Sequence, residues 1–160
     1  MLDTAADLRR CLQRCRTIAV VGLSDQWHRP SFFAAKYMQH QGWRIVPVNP
    51  RLAGGQILGE TVYARLEDIP QAVDMVDVFR KSEDVPPIVE SAIAIGAKCL
   101  WLQLGVVHQA AADAASAAGL DVVMDRCVKI EHARLFGGLN FVGVNTGVLS
   151  ARRQGAGDRA

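Results

Sequence analysis

The sequence predicts an α/β domain: a doubly wound parallel sheet of about five strands with helices on both faces. Two observations carry this. Short apolar runs rich in β-branched residues, such as Thr17-Ile18-Ala19-Val20-Val21, lack polar alternation, as strands buried on both faces do. Between such runs lie stretches with apolar residues at helical spacing. The order β-α-β-loop-β-α-β-α-β then implies parallel strands joined by right-handed crossovers.

Taken in order, Leu2, Ala5, Leu8 and Leu12 predict an amphipathic opening helix over about residues 3–15. The first strand, Thr17–Val21, stops at Gly22. Phe33, Tyr37 and Met38 predict a helix over residues 31–41, with Gly42 as its stop. Residues 44–48 form the second strand, although Pro47 removes a ladder donor. Residues 49–61 read as loop, carrying Pro50, Gly54, Gly55 and Gly59. A turn of helix near residues 66–69 leads to the third strand, residues 73–79. Ser82 is placed to cap a helix over residues 83–95, with Pro86 and Pro87 in its first turn and Gly96 at its end. Residues 98–103 form the fourth strand, 107–118 an alanine-rich helix, 120–125 the fifth strand and about 129–135 a last short helix. The expected arrangement is a Rossmann-type sheet of order 3-2-1-4-5, with ligand at the carboxyl ends where the order reverses. Residues 1–150 are expected to form one domain, and residues 151–160 a disordered tail.

The bulk numbers fit this class. In 160 residues, 50% hydrophobic and 21% charged, there is material for one full core. The net charge of +2, from 18 Lys and Arg against 16 Asp and Glu, gives no basic face for nucleic acid. No apolar run approaches the ~18 residues a membrane span requires. Residues 1–16 lack the apolar core of a signal peptide, so a cytoplasmic protein with reduced thiols at Cys11, Cys15, Cys99 and Cys127 is expected.

The chemistry-bearing residues follow strands. Gly22-Leu23-Ser24 and Arg29-Pro30-Ser31 combine a glycine, two hydroxyls, a guanidinium and a helix start, which suits an anion. With one glycine it is no G-x-G-x-x-G fingerprint, and it also reads as an ordinary βα turn. The second strand ends Val48-Asn49-Pro50-Arg51, without the carboxylate that holds NAD ribose hydroxyls. Arg51 suits an additional phosphate, or is simply a solvated loop residue. After the third strand, Phe79 and Arg80 are candidates for an adenine face and a phosphate; the alternative puts Phe79 in the core. Gly105, after the fourth strand, permits close approach of backbone to ligand.

Together these loops resemble the CoA-binding domain family, small proteins similar to the nucleotide-binding domain of the succinyl-CoA synthetase alpha subunit. The matching stretches are Val20-Val21-Gly22-Leu23-Ser24, Arg29-Pro30-Ser31, Pro47-Val48-Asn49-Pro50 and Val76-Asp77-Val78-Phe79-Arg80. Ala94-Ile95-Gly96-Ala97, residues 100–106 and Met124-Asp125-Arg126-Cys127 follow in order. The resemblance implies that CoA or an acyl-CoA lies across these loops. Gly22, Leu23 and Ser24 would meet the pyrophosphate, with Arg29 and Ser31 assisting. Asn49, Pro50 and Arg51 would flank the adenosine end, Arg51 at the 3′-phosphate. Val78, Phe79 and Arg80 would border the nucleotide, and Gln103, Leu104 and Gly105 the pantetheine. No residue is assigned as catalytic or as a metal ligand. The synthetase's phosphorylated histidine lies in a second domain that these residues do not resemble, so its reaction is not expected to transfer.

The remaining alternatives are an NAD(P)-linked oxidoreductase and a regulatory or structural subunit with a vestigial pocket. An acyl-transfer enzyme or a second copy of the chain would be the macromolecular partner. Cys127 with His132 nearby in sequence is the one reactive-looking cluster, against the alternative of a buried structural thiol. Trp27 is read as a loop residue over the pocket, and Trp101 as packed between sheet and helix.

Overall fold

In a computed structural model, residues 1–137 are described. The end of the domain expected over residues 1–150 and the whole of the tail 151–160 therefore lie outside the described residues.

The elements alternate as the sequence patterns require. Helix α1 (Ala5–Arg14) precedes strand β1 (Thr17–Val21); α2 (Pro30–His40) and β2 (Arg44–Val48) follow. A short hairpin, β3 (Gln56–Ile57) with β4 (Glu60–Thr61), occupies the stretch read as loop. Then come β5 (Met75–Val78), α3 (Val85–Ala94), β6 (Cys99–Leu102), α4 (Gln109–Ala117), β7 (Asp121–Val123) and α5 (Val128–Phe136). Thr4 caps α1 by accepting from the Asp7 amide at 3.1 Å, and His108 caps α4 through Ala111. Ser82 does not take the capping role read from the sequence. Its hydroxyl accepts from the Val107 amide at 2.9 Å, and a 3₁₀ turn (Ser82–Asp84) leads into α3 instead.

The main sheet is parallel, with order β2-β1-β5-β6-β7. The class is the one the sequence predicts, but the internal order 3-2-1-4-5 is corrected. Counted over the five long strands it is 2-1-3-4-5. The reason lies at the free edge of β2. There the Pro47 carbonyl accepts from the Tyr63 amide, so the position lacking an N–H faces outward, and pairing on that side shrinks to a single bridge, Val48 to Tyr63. The long connection from β2 instead crosses the sheet, burying Leu66 against the face of α3 and α4, and inserts β5 beside β1. The point where the order reverses thus falls between β1 and β5, and the carboxyl ends of these two strands form the crevice for a ligand.

Alternation along each strand divides the core in two. Ile18, Val20, Met75, Cys99 and Trp101 face α1, α2 and α5. Ala19, Val76, Val78, Leu100 and Leu102 face α3 and α4. Trp101 is fully buried, and its indole N–H donates to the Arg126 carbonyl at 2.7 Å, which ties the end of β7 to β6. Among the described residues no helix is long and apolar enough to cross a membrane.

Candidate functional site

The site is built from the loops that leave the carboxyl ends of the sheet. Gly22 ends β1 with φ +86°, and its amide donates to the Val48 carbonyl at 2.8 Å. A Cβ there would lie 2.5 Å from the Phe79 carbonyl oxygen, so only glycine lets this loop pass between the ends of β2 and β5. Beyond it, the Ser31 hydroxyl accepts from the Ser24 amide at 3.1 Å, and the Ser24 hydroxyl accepts from the Gln26 amide at 3.1 Å. The loop is thereby folded back onto the start of α2, whose cap position is Arg29 without a side-chain capping bond. Pro30 opens α2 without an N–H and the Phe32 amide donates to the Arg29 carbonyl at 3.0 Å, so the Ser31 amide and the Arg29 guanidinium are what this helix start offers an anion.

Asn49 explains the missing carboxylate on β2. Its amide nitrogen donates to the Leu23 carbonyl at 2.9 Å, while its Oδ1 accepts from the Arg51 amide at 3.1 Å. An aspartate would set a negative oxygen against that carbonyl. Asn49 is thus a clamp joining the first two loops, and Arg51 projects beyond it.

These loops enclose a cleft of about 830 Å³, within the roughly 300–1,000 Å³ of small-molecule sites. Of the residues singled out in the sequence, it brings together Gly22, Ser24, Arg29, Ser31, Asn49, Arg51, Phe79, Arg80, Gln103 and Leu104. Leu23 and Val78 are fully buried in the two cores, so their side chains face away from the cleft. Gly105 lines an adjoining hollow, its amide donating to Asp125 Oδ1 at 2.8 Å, and Pro50 lines a third hollow against residues 64–67 and α3. Asp125 reaches that bond from φ +58°, a conformation aspartate tolerates better than most residues.

Positive charge dominates the cleft: Arg29, Arg51, Arg80 and Lys129 line it against one carboxylate, Asp25. Arg80 is also paired with Asp84 at 3.0 Å. Phe79 lines the cleft and also packs against the core. Exposed Phe33, Leu104 and Ile130 add an apolar rim. Sequence reasoning missed Phe33, Lys129 and Ile130 as lining residues. For Lys129 and Ile130 the signal was available, since they open the helix that follows the last strand.

Beneath the floor sits a buried polar pair. Gln103 Nε2 donates to Asp77 Oδ1 at 2.7 Å, and both residues are almost wholly buried. Burial pushes the Asp77 carboxyl up to about 7, with the Gln103 hydrogen bond pulling the other way. His132 does not form a dyad with Cys127. Its Nδ1 meets the Tyr37 hydroxyl at 3.0 Å, and its ring lies among Trp43 and Phe136. Trp27 is strongly exposed and lies outside the lining of the cleft. Among the described residues no group of His, Cys, Asp and Glu side chains is arranged to hold a metal.

The description of the CoA binding domain family fits this chain over residues 16–133, which includes every strand and all the loops described above. The chain belongs to the CoA-binding domain family. A curated relative, the uncharacterized protein YneT of Bacillus subtilis (strain 168), is 39% identical over 128 residues, spanning 80% of this chain and 93% of its own length. Among solved structures, the cell-free ID.343 protein from Thermus thermophilus matches with a TM-score of 0.81 at 37% identity, covering 84% of this chain and 100% of that one. A hypothetical protein from Pyrococcus horikoshii OT3 matches with a TM-score of 0.81 at 37% identity, covering 84% and 94%. The family is the one the sequence resembles, and the parallel sheet is of the class it predicts.

Proposed function

We propose that this member of the CoA-binding domain family binds coenzyme A or an acyl-CoA across the loops after β1, β2, β5 and β6. The observation that carries the reading is the meeting of Gly22, Arg29, Arg51 and Arg80 in one cleft at the point where the strand order reverses. CoA carries a pyrophosphate and a 3′-phosphate on one adenosine. In this reading the pyrophosphate lies over Gly22 and the start of α2, the adenine against Phe79, and the 3′-phosphate at Arg51. The apolar rim at Leu104 and Ile130 and the polar floor at Gln103 suit the pantetheine arm, which alternates amides with apolar carbons. An NAD-type site is disfavoured because Asn49 is committed to the Leu23 carbonyl and offers no carboxylate to a ribose.

Calorimetry with CoA and with dephospho-CoA tests the assignment. Removing a charged hydrogen-bonding partner costs about 1.5–3 kcal/mol, so Arg51→Ala is expected to weaken CoA by roughly 10- to 100-fold and to leave dephospho-CoA nearly unchanged. If the wild-type chain gives no heat with millimolar CoA, the reading fails. Equal weakening of both ligands would move the 3′-phosphate away from Arg51.

A further inference from the structure

We infer that Cys127 is an acyl acceptor: its thiol takes the acyl group of a thioester bound in the cleft and releases free CoA. The inference rests on the proposed CoA reading and extends it from binding to group transfer.

Two independent observations, both in the cleft, support it. The first is the placement of the thiol. Cys11, Cys15 and Cys99 are fully buried in the core beneath α1, where Cys11 and Cys99 meet at 3.1 Å. Cys127 alone is partly exposed, and it lines the cleft. It occupies the cap position of the nine-residue helix α5 and makes no capping bond there. The first-turn amides of that helix present their positive end beside the sulfur, and Lys129, whose Nζ lies over the Phe33 ring at 4.9 Å, lines the same cleft.

The second observation is Gln103. It is 3% exposed, yet its side chain lines the cleft. Asp77 engages its amide nitrogen, which turns the carbonyl oxygen, Oε1, the other way. Oε1 has no hydrogen-bond partner among the described residues, although no fully buried side-chain polar atom is left without one. It therefore opens on the cleft, as an acceptor awaiting a donor. A pantetheine amide N–H is such a donor. Docked there, the arm would bring its sulfur to the end of the cleft that Cys127 lines, and the thioester carbonyl to the start of α5.

The step balances without an oxidant or a metal. The Cys127 thiol gives its proton to water, and its sulfur attacks the thioester carbonyl carbon. Negative charge develops on the carbonyl oxygen, facing the first-turn amides of α5. The bond from that carbon to the CoA sulfur then breaks, the CoA thiolate takes up a proton, and the acyl group remains on Cys127 as a thioester. One thioester replaces another.

The test is to incubate the full chain with acetyl-CoA, quench in acid, and read intact mass and peptide maps, with CoA calorimetry on the same preparation. The expected result is one acetyl group on Cys127, removed by neutral hydroxylamine and absent from Cys127→Ser. Labelling is expected to saturate with acetyl-CoA and to be suppressed by desulfo-CoA, which fills the site without offering a thiol. Gln103→Ala is expected to slow labelling while Cys127 stays equally reactive to a small alkylating agent. If CoA binds and Cys127 remains unmodified, or acetyl groups appear only on lysines, the inference is overturned and the binding reading stands. If CoA itself does not bind, both fall. Labelling of Cys127 that desulfo-CoA leaves untouched would also overturn it, since the acyl group would then not come from the cleft.

Discussion

Replacing Gly22 with alanine is expected to abolish CoA binding and to destabilise the fold by about 2–4 kcal/mol, the range in which strained backbone and overpacking fall. Two effects add. The left-handed backbone at φ +86° costs a residue with a Cβ roughly 1–2 kcal/mol. The new carbon would also stand 2.5 Å from the Phe79 carbonyl, which belongs to the backbone and cannot swing aside. Relief requires β1 and β5 to part at the carboxyl end, where the cleft depends on their closeness. Gly96→Ala is the control. Gly96 shares the unusual backbone, at φ +69°, but has nothing within 4 Å of its added carbon. It is expected to lose about 1 kcal/mol and to keep full affinity. Urea unfolding and calorimetry on both variants read the difference; equal losses in the two would show that the crossing of the strand ends is unimportant.

Asp77→Asn is expected to stabilise the protein above neutral pH and to leave it nearly unchanged near pH 4. Because burial raises the folded-state pKa to about 7, from an ordinary 3.8, the folded chain holds a proton that the unfolded chain releases across that window. The group's contribution is therefore fully present below about pH 4, declines as pH rises, and is lost above about pH 7. At 1.36 kcal/mol per pKa unit, the penalty at pH 8 is on the order of 4 kcal/mol. Asparagine keeps the shape, offers an oxygen to Gln103 and carries no charge. Buried His132, held below its usual range by desolvation, gives a term of opposite slope. That term is common to both proteins and cancels in their difference. Thermal unfolding from pH 4 to pH 9 tests this. Parallel stability curves for the two proteins would mean that Asp77 is not a buried, proton-holding group.

Most of the fold could be read from the sequence because its signals are local. Apolar runs such as residues 17–21 and helical spacings such as those of Leu8 and Leu12 record burial directly, and Trp101 lies in the core as expected. Strand order is not local. The sequence did carry one clue, Pro47, whose missing donor belongs on an edge and so leaves no place for the third strand beyond β2. Ser82 misled because serine is as good a partner for a loop amide as for a helix start, and the distant Val107 decides between them.

The candidate site was legible as far as residue type reveals role. The glycine at position 22 and the arginines at 29, 51 and 80 meet in the cleft. Leu23 and Val78 lie beside those residues in sequence, but alternation and loop folding turn their side chains into the core. Asn49 lines the cleft and is also a clamp; the second role was hidden because its partners, Leu23 and Arg51, are backbone groups that sequence patterns do not display. Asp77, in the middle of an apolar strand, could be seen but not interpreted without Gln103, which lies 26 positions away.

The central claim, that the carboxyl-end cleft is the CoA site, is tested most directly by titrating the isotopically labelled chain with CoA and following backbone amide resonances. The expected result is saturable shifts at residues 22–31, 49–51, 79–80 and 103–105, with the amides of α3 and α4 unmoved beyond their ends nearest the cleft. Unchanged spectra at millimolar CoA, or shifts centred on any other face, would contradict it.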